Sequence, residues 1–138
     1  QIAEYDQAQS VLEDLLRLRT AKGRPHANAL LALSRNDEAA GELKRAVPYA
    51  QRVYNVYRGY PDLAAQAYWM SAQQFERLGD LVIAYKTLDE MLSNPKIAKL
   101  PIAAMAETKR SALFDALPEG ALDEAAIETA ANNPEVSE

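Results

Sequence analysis

Apolar residues recur every three or four positions along most of the chain, which is the period of an amphipathic helix. The clearest stretch is residues 60–95. Its first half carries an apolar or small stripe over residues 63–78, and its second half carries another over residues 81–92. Gly79 separates the halves and suits the left-handed conformation that ends many helices. The pattern therefore predicts two antiparallel helices joined by a tight turn.

The same pattern continues on both sides of this stretch, and no segment alternates as a strand would. Four alanines mark what we interpret as the equivalent position of each second helix, at irregular spacing: Ala8, Ala39, Ala84 and Ala125. We expect about seven helices, an initial one followed by three helical pairs, at residues 2–19, 25–35, 37–58, 62–78, 80–92, 100–117 and 121–132.

The third of these helices is unusually long. Its apolar stripe keeps the same helical period from Asp37 to Arg58, so the spacing predicts one helix of about 33 Å. Pro48 lies inside this helix and has no backbone donor, and we therefore expect a kink there. The alternative is two helices that separate between Val47 and Pro48, with the proline in a new first turn.

Residues 60–95 resemble one tetratricopeptide repeat, a pattern of small, aromatic and proline residues over about 34 positions. The corresponding residues are Tyr68, Ser71, Ala72, Phe75, Ala84, Leu88 and Pro95. Ser71 and Ala72 replace the usual leucine and glycine, and Pro95 comes one position early. The resemblance implies an all-α, right-handed solenoid of helical hairpins that forms a single domain over residues 1–138. Because Gln1 is not an initiator residue, we expect the chain to be part of a longer one.

Composition narrows the function classes. The formal net charge of −5 argues against a general role in binding nucleic acid or anionic membranes. There is no cysteine, which excludes disulfides and thiolate chemistry. No apolar run approaches the roughly 18 residues that span a bilayer, so we expect no direct membrane insertion.

The residue types that catalysis needs are sparse. His26 is the only histidine, so histidine-ligated metal sites and Ser-His-Asp relays lack parts. Adjacent acidic pairs such as Asp89 and Glu90 point in different directions on a helix and do not form an acid/base pair. No glycine-rich phosphate loop is present. We therefore expect no enzymatic activity, no cofactor and no metal site.

The resemblance implies a concave groove lined by first helices, and this predicts binding of a protein or peptide partner. On the first helix of the central repeat, the residues we expect to face that groove are Gln66, Trp69, Gln73, Glu76 and Arg77. Aromatic and arginine side chains on one face are typical of interfaces. The competing interpretation is that Trp69 only packs against an adjacent helix.

Two other functions stay open on the sequence alone. The first is self-assembly into a homo-oligomer, through the outer helices or through Tyr49, Tyr54 and Tyr57. The second is a repeat module of a larger enzyme. Residues 60–62, 67–69 and 78–80 are similar to repeats of bacterial envelope proteins, which implies a periplasmic or envelope location, with the cytoplasm as the alternative.

Overall fold

A computed structural model describes residues 2–17 and 23–123, and all regular structure in these two ranges is helical. The predicted all-α class is therefore confirmed. The helices are α1 (Ile2–Arg17), α2 (Arg24–Ala39), α3 (Leu43–Val56), α4 (Pro61–Arg77), α5 (Leu81–Leu92), α6 (Pro95–Ala98) and α7 (Ile102–Ala116). The predicted helix at 121–132 lies mostly outside the described residues.

Each helix packs mainly against its neighbours along the chain. The substantial contacts join α1 to α2, α2 to α3, α3 to α4, α4 to α5, and α5 to α7, while the short α6 lies against α4 and α5. Helices α2 and α4 also touch, and α1 shares no comparable contact with α7. This is the packing order that helical hairpins give when they lie side by side.

The core lies along the line where these helices meet. Ala72 and Ala84 are both buried, as the sequence predicts, and Leu88 is fully enclosed. Tyr54 and Tyr68 stack between α3 and α4 with their ring centres 4.0 Å apart. Burial raises the pKa of both phenols, so these rings are neutral packing elements at physiological pH.

The predicted boundary between the second and third helices is wrong. Helix α2 continues to Ala39 and α3 begins at Leu43, so the turn lies several residues beyond the predicted break at Asn36. Asparagine and aspartate favour helix starts, yet Asn36 and Asp37 belong to the last turns of α2. Ala39 is an exposed residue of α2, so its predicted equivalence with Ala84 is also wrong.

Gly41 decides where α2 ends. It adopts a φ of 81°, and the amides of Gly41 and Glu42 donate to the carbonyls of Glu38 and Asp37 at 3.0 and 2.8 Å. This pair of bonds is the Schellman motif, which satisfies the last carbonyls of a helix. Gly79 ends α4 with a φ of 86° and the same two bonds.

The corrected boundary reveals a regular repeat. Ala8, Ala46 and Ala84 are successively 38 residues apart, and Gly41 and Gly79 have the same separation. Ala46 and Ala84 are both fully buried. Helices α3 and α5 therefore share one register, which the predicted alignment through Ala39 concealed. Ala8 has the same spacing in sequence but is exposed on α1.

Pro48 lies within a continuous helix. Helix α3 has 14 residues and includes Pro48, so the alternative of a break between Val47 and Pro48 is wrong. The helix is about 21 Å long rather than about 33 Å, because its start moves from Asp37 to Leu43. The kink itself stays a prediction.

The chain after α5 also differs from the prediction. Residues 96–99 are not a loop, because α6 occupies Pro95–Ala98. The side chain of Asn94 accepts a hydrogen bond from the Lys96 amide at 3.0 Å, and Pro95 occupies the first helical position. An N-cap and a proline at that position together start a helix. The next helix begins at Ile102 rather than at residue 100.

We expect the substitution Leu88→Ala to lower the free energy of unfolding by about 2–5 kcal/mol, because it removes a fully enclosed side chain from the core. Chemical denaturation monitored by circular dichroism measures this loss. The matched control is Ile83→Ala on the same helix, where the side chain is 44% exposed. The control loss should stay below about 0.5 kcal/mol. Equal losses for the two variants would contradict the assigned core.

Candidate site at the groove between α4 and α7

The five residues predicted to contact a partner form one stripe along α4. At about 100° per residue, Gln66, Trp69, Gln73, Glu76 and Arg77 span roughly 100° of the helix surface. Gln66 and Arg77 lie at one edge, Gln73 lies near the middle, and Trp69 and Glu76 lie at the other edge. The two edges face different neighbouring helices.

The first edge contacts α2 through polar side chains. Gln66 Oε1 accepts a hydrogen bond from Arg35 Nη2 at 3.3 Å, and Arg77 Nη1 lies 3.1 Å from Glu38 Oε1. Both predicted residues are therefore already hydrogen-bonded to side chains of α2 before any partner binds.

The same seam carries two further links between α2 and α4. Arg24 forms two hydrogen bonds to the carboxylate of Asp62, at 2.8 and 3.2 Å, and this arginine lowers the pKa of Asp62. Deeper inside, Gln74 is fully buried and donates to Ser34 Oγ at 2.9 Å. Ser34 Oγ in turn donates to the carbonyl of Ala46 at 2.8 Å. These bonds join α2, α3 and α4 and fix the angle at which α4 presents its stripe.

The second edge faces a groove of about 510 Å³ between α4 and α7. Its lining is mainly apolar and consists of Trp69, Ala104, Met105, Thr108, Lys109 and Ala112. Trp69 is half-buried and packs against the core with part of its surface. Its remaining surface lines the groove, so both interpretations of Trp69 hold in part.

An ion pair crosses from α4 to α7 beside the groove. Lys109 Nζ lies 2.9 Å from Glu76 Oε1, and each side chain is 33% exposed. The pair connects the predicted stripe to α7. Gln73 is half-buried between the two edges. The structure thus separates the five predicted residues into a pair engaged with α2, a pair facing α7 and one residue between them.

Sequence reasoning missed the α7 side of the groove. Met105 is 55% exposed despite its apolar side chain, and it lies near Thr108 and Ala112 at helical spacing. An apolar residue that lies beside the apolar stripe of a helix instead of on it, as Met105 does, is the signal that could have indicated this surface. Which helix the Met105 side of α7 faces depends on where α6 directs the chain, and α6 was not predicted.

Other kinds of site have no support in the described part of the chain. No group of three or more histidine, cysteine, aspartate or glutamate residues there could hold a metal ion. No described helix is long and apolar enough to cross a bilayer. His26 has a partner, since its Nδ1 shares a hydrogen bond with the Tyr57 hydroxyl.

Comparison with models of known families, with curated proteins and with solved structures gives no match for this chain. The resemblance to tetratricopeptide repeats therefore still depends on the residues that carry it.

Proposed function

We propose that this chain is a protein-interaction module of tetratricopeptide type that holds an amphipathic helix of a partner protein in the groove between α4 and α7. The observation that carries the proposal is the groove itself, a mainly apolar cleft of about 510 Å³ with a half-buried tryptophan on one wall. Apolar clefts with an aromatic anchor are typical docking sites.

The shape of the groove supports a helix as its occupant. Met105, Thr108 and Ala112 follow one another along α7 over about 10 Å, and Trp69 faces them from α4. A partner helix that presents apolar residues at positions i, i+3 or i+4, and i+7 would match a cleft of this length.

The surroundings of the groove have the composition of an interface rim. Glu76 and Lys109 form their ion pair at the groove, and Gln73 is a polar neighbour on α4. Interfaces combine an apolar centre with a polar rim that keeps the free surface soluble. In this proposal the hairpins stack as a right-handed solenoid, and α2, α4 and α7 line its inner face. The envelope location is part of the proposal and depends only on the resemblance of residues 60–62, 67–69 and 78–80.

The structure does not favour self-assembly through the three tyrosines Tyr49, Tyr54 and Tyr57 as a second function. Tyr54 is buried against Tyr68, which contradicts its use as an outer surface. Tyr49 is half-buried and accepts a hydrogen bond from Gln9. Tyr57, which directly follows α3, is half-buried beside His26.

We expect Trp69→Ala to weaken partner binding at least about tenfold, because the groove loses its aromatic wall. The assay is a pull-down with the protein as bait, followed by titration of the captured partner. Trp69 is the only tryptophan, so its fluorescence reports the groove directly and should shift to shorter wavelength when an apolar partner covers the ring. The melting temperature should fall by no more than about 5 °C, because the ring is only half-buried.

The matched control is Val56→Ala, which removes an apolar side chain that is 62% exposed on α3, away from the groove. It should capture the same partner as the unchanged protein. Loss of capture by both variants, or by neither, would contradict the groove as the docking site.

We expect the ion pair between Glu76 and Lys109 to contribute less than about 1 kcal/mol to stability, because both groups are partly solvated. A double-mutant cycle with Glu76→Gln and Lys109→Met, read by denaturant unfolding, measures this coupling, which should weaken further in high salt. A coupling above about 2 kcal/mol would show that the pair holds α7 in place instead of bordering an open groove.

A further inference from the structure

A second cavity, of about 410 Å³, lies where α1 meets the end of α2 and the start of α3. It shares no lining residue with the groove of Trp69. Polar and charged residues dominate its walls, which are formed by Tyr5, Asp6, Gln9, Asn36, Asp37, Ala39, Ala40, Glu42 and Arg45.

The 38-residue repeat places an equivalent cavity one hairpin further along. Val47 and Phe75 line that equivalent cavity, which is about 430 Å³. Gln9 and Asp37 occupy the corresponding positions of the polar cavity beside α1. A buried carboxylate therefore stands where the next repeat has an aromatic ring against an aliphatic side chain.

Asp37 is poorly compensated for its burial. It is 3% exposed, and its Oδ2 atom has no hydrogen-bond partner within the described residues. Its Oδ1 atom lies 3.8 Å from Arg45 Nη2, and that arginine side chain is 60% exposed. Burial raises the pKa of Asp37 from its ordinary value of 3.8, against the opposing effect of Arg45. A buried carboxylate without a close partner is costly.

Two other polar side chains of the polar cavity, Asn36 and Gln9, are hydrogen-bonded. Asn36 Nδ2 donates to the carbonyl of Tyr5 and to Gln9 Oε1, each at 3.1 Å. Gln9 Nε2 donates to Glu13 and to the Tyr49 hydroxyl, each at 3.2 Å. This network joins α1 to α2 and α3, and the Oδ2 atom of Asp37 takes no part in it.

The charge around Asp37 is negative. Asp6 and Glu42 are exposed residues of the same cavity, and Arg45 is the one cation among its described lining residues. An incoming cation would therefore meet two carboxylates before it reached the buried one. The described residues hold no cluster suited to a metal ion.

We propose that the polar cavity binds a guanidinium group, as presented by an arginine side chain of a partner polypeptide. The Oδ2 atom is closed to solvent in the free chain, so binding requires the Asp37 side chain to turn toward the cavity. A planar guanidinium offers five donors, enough to bond that carboxylate and a carboxylate of Asp6 or Glu42. Such charge-assisted bonds are the strongest that a carboxylate makes. The polar cavity is a site separate from the groove, and the proposal does not depend on a partner there.

The test is a titration of the full chain, labelled with ¹⁵N, with N-acetyl-arginine methylamide up to roughly 50 mM, since a single charged contact gives only millimolar affinity. Saturable shifts are expected at the amides of residues 36–45. The matched ligand is N-acetyl-citrulline methylamide, which keeps the shape and loses the charge, with ionic strength equalised by sodium chloride.

We expect Asp37→Asn to weaken arginine binding at least about tenfold, because one close ionic contact is worth that much. The control is Asp80→Asn, at the position of the equivalent cavity that corresponds to Glu42, and it should leave binding within about twofold. Equal binding of citrulline, or unchanged binding by Asp37→Asn, would overturn the proposal. If Asp37→Asn did not fold, the double variant Asp6→Asn and Glu42→Gln would serve in its place, and unchanged binding by it would overturn the proposal in the same way.

The pH dependence of the protein's stability tests the burial of the Asp37 carboxylate without any ligand. Because the pKa of Asp37 is raised by folding, the native chain holds a proton at pH values where the unfolded chain has lost it, and this contribution to stability fades as the pH rises. The denaturation midpoint of the unchanged protein, relative to that of Asp37→Asn, should therefore fall as the pH rises above about 4. A relative midpoint that rises over this range would show that Asp37 is already well compensated in the folded chain.

Discussion

The arrangement of the helices, and of the spaces between them, depends on their close approach at buried alanines. Ala46 and Ala84 are fully buried and lie at the same distance beyond the glycine that ends the preceding helix. A side chain of one methyl group lets two backbones come together, and the larger neighbours then fill the space beside the contact. Repetition of this contact after 38 residues gives α3 and α5 equivalent positions. The groove and the polar cavity are both spaces left between helices placed in this way.

Local signals decide how much of the fold the sequence can predict. Helices α4 and α5 lie within one residue of their predicted bounds, because Pro61 starts the first and Gly79 ends it unambiguously. The boundary at Gly41 was equally predictable in principle, since this glycine precedes Ala46 by the same interval as Gly79 precedes Ala84. The polar residues Asn36 and Asp37 give a competing signal a few positions earlier, and a local start signal carries no information about burial.

The two sites differ in what a single sequence can reveal. The stripe on α4 follows from helical periodicity alone, so the spacing of Trp69 and Glu76 is enough to place both on one face of that helix. The spacing does not identify their counterpart Lys109, because its position depends on how α6 redirects the chain toward α7. The burial of Asp37 is harder still to predict. An aspartate next to other polar residues gives no indication of burial, because only tertiary packing encloses it.

The contrast between Phe75 and Asp37 bears on why the two repeats diverge. At Phe75 the equivalent interface gains stability from an aromatic ring against aliphatic neighbours. At Asp37 the same position encloses a carboxylate that lacks a hydrogen-bond donor at Oδ2 among the described residues, which opposes folding whenever the group is ionised. Selection for stability alone would favour an apolar side chain there, as it does one repeat later. Residues that oppose folding are expected where they contribute to binding or chemistry, so the less stable interface is where a ligand is to be sought.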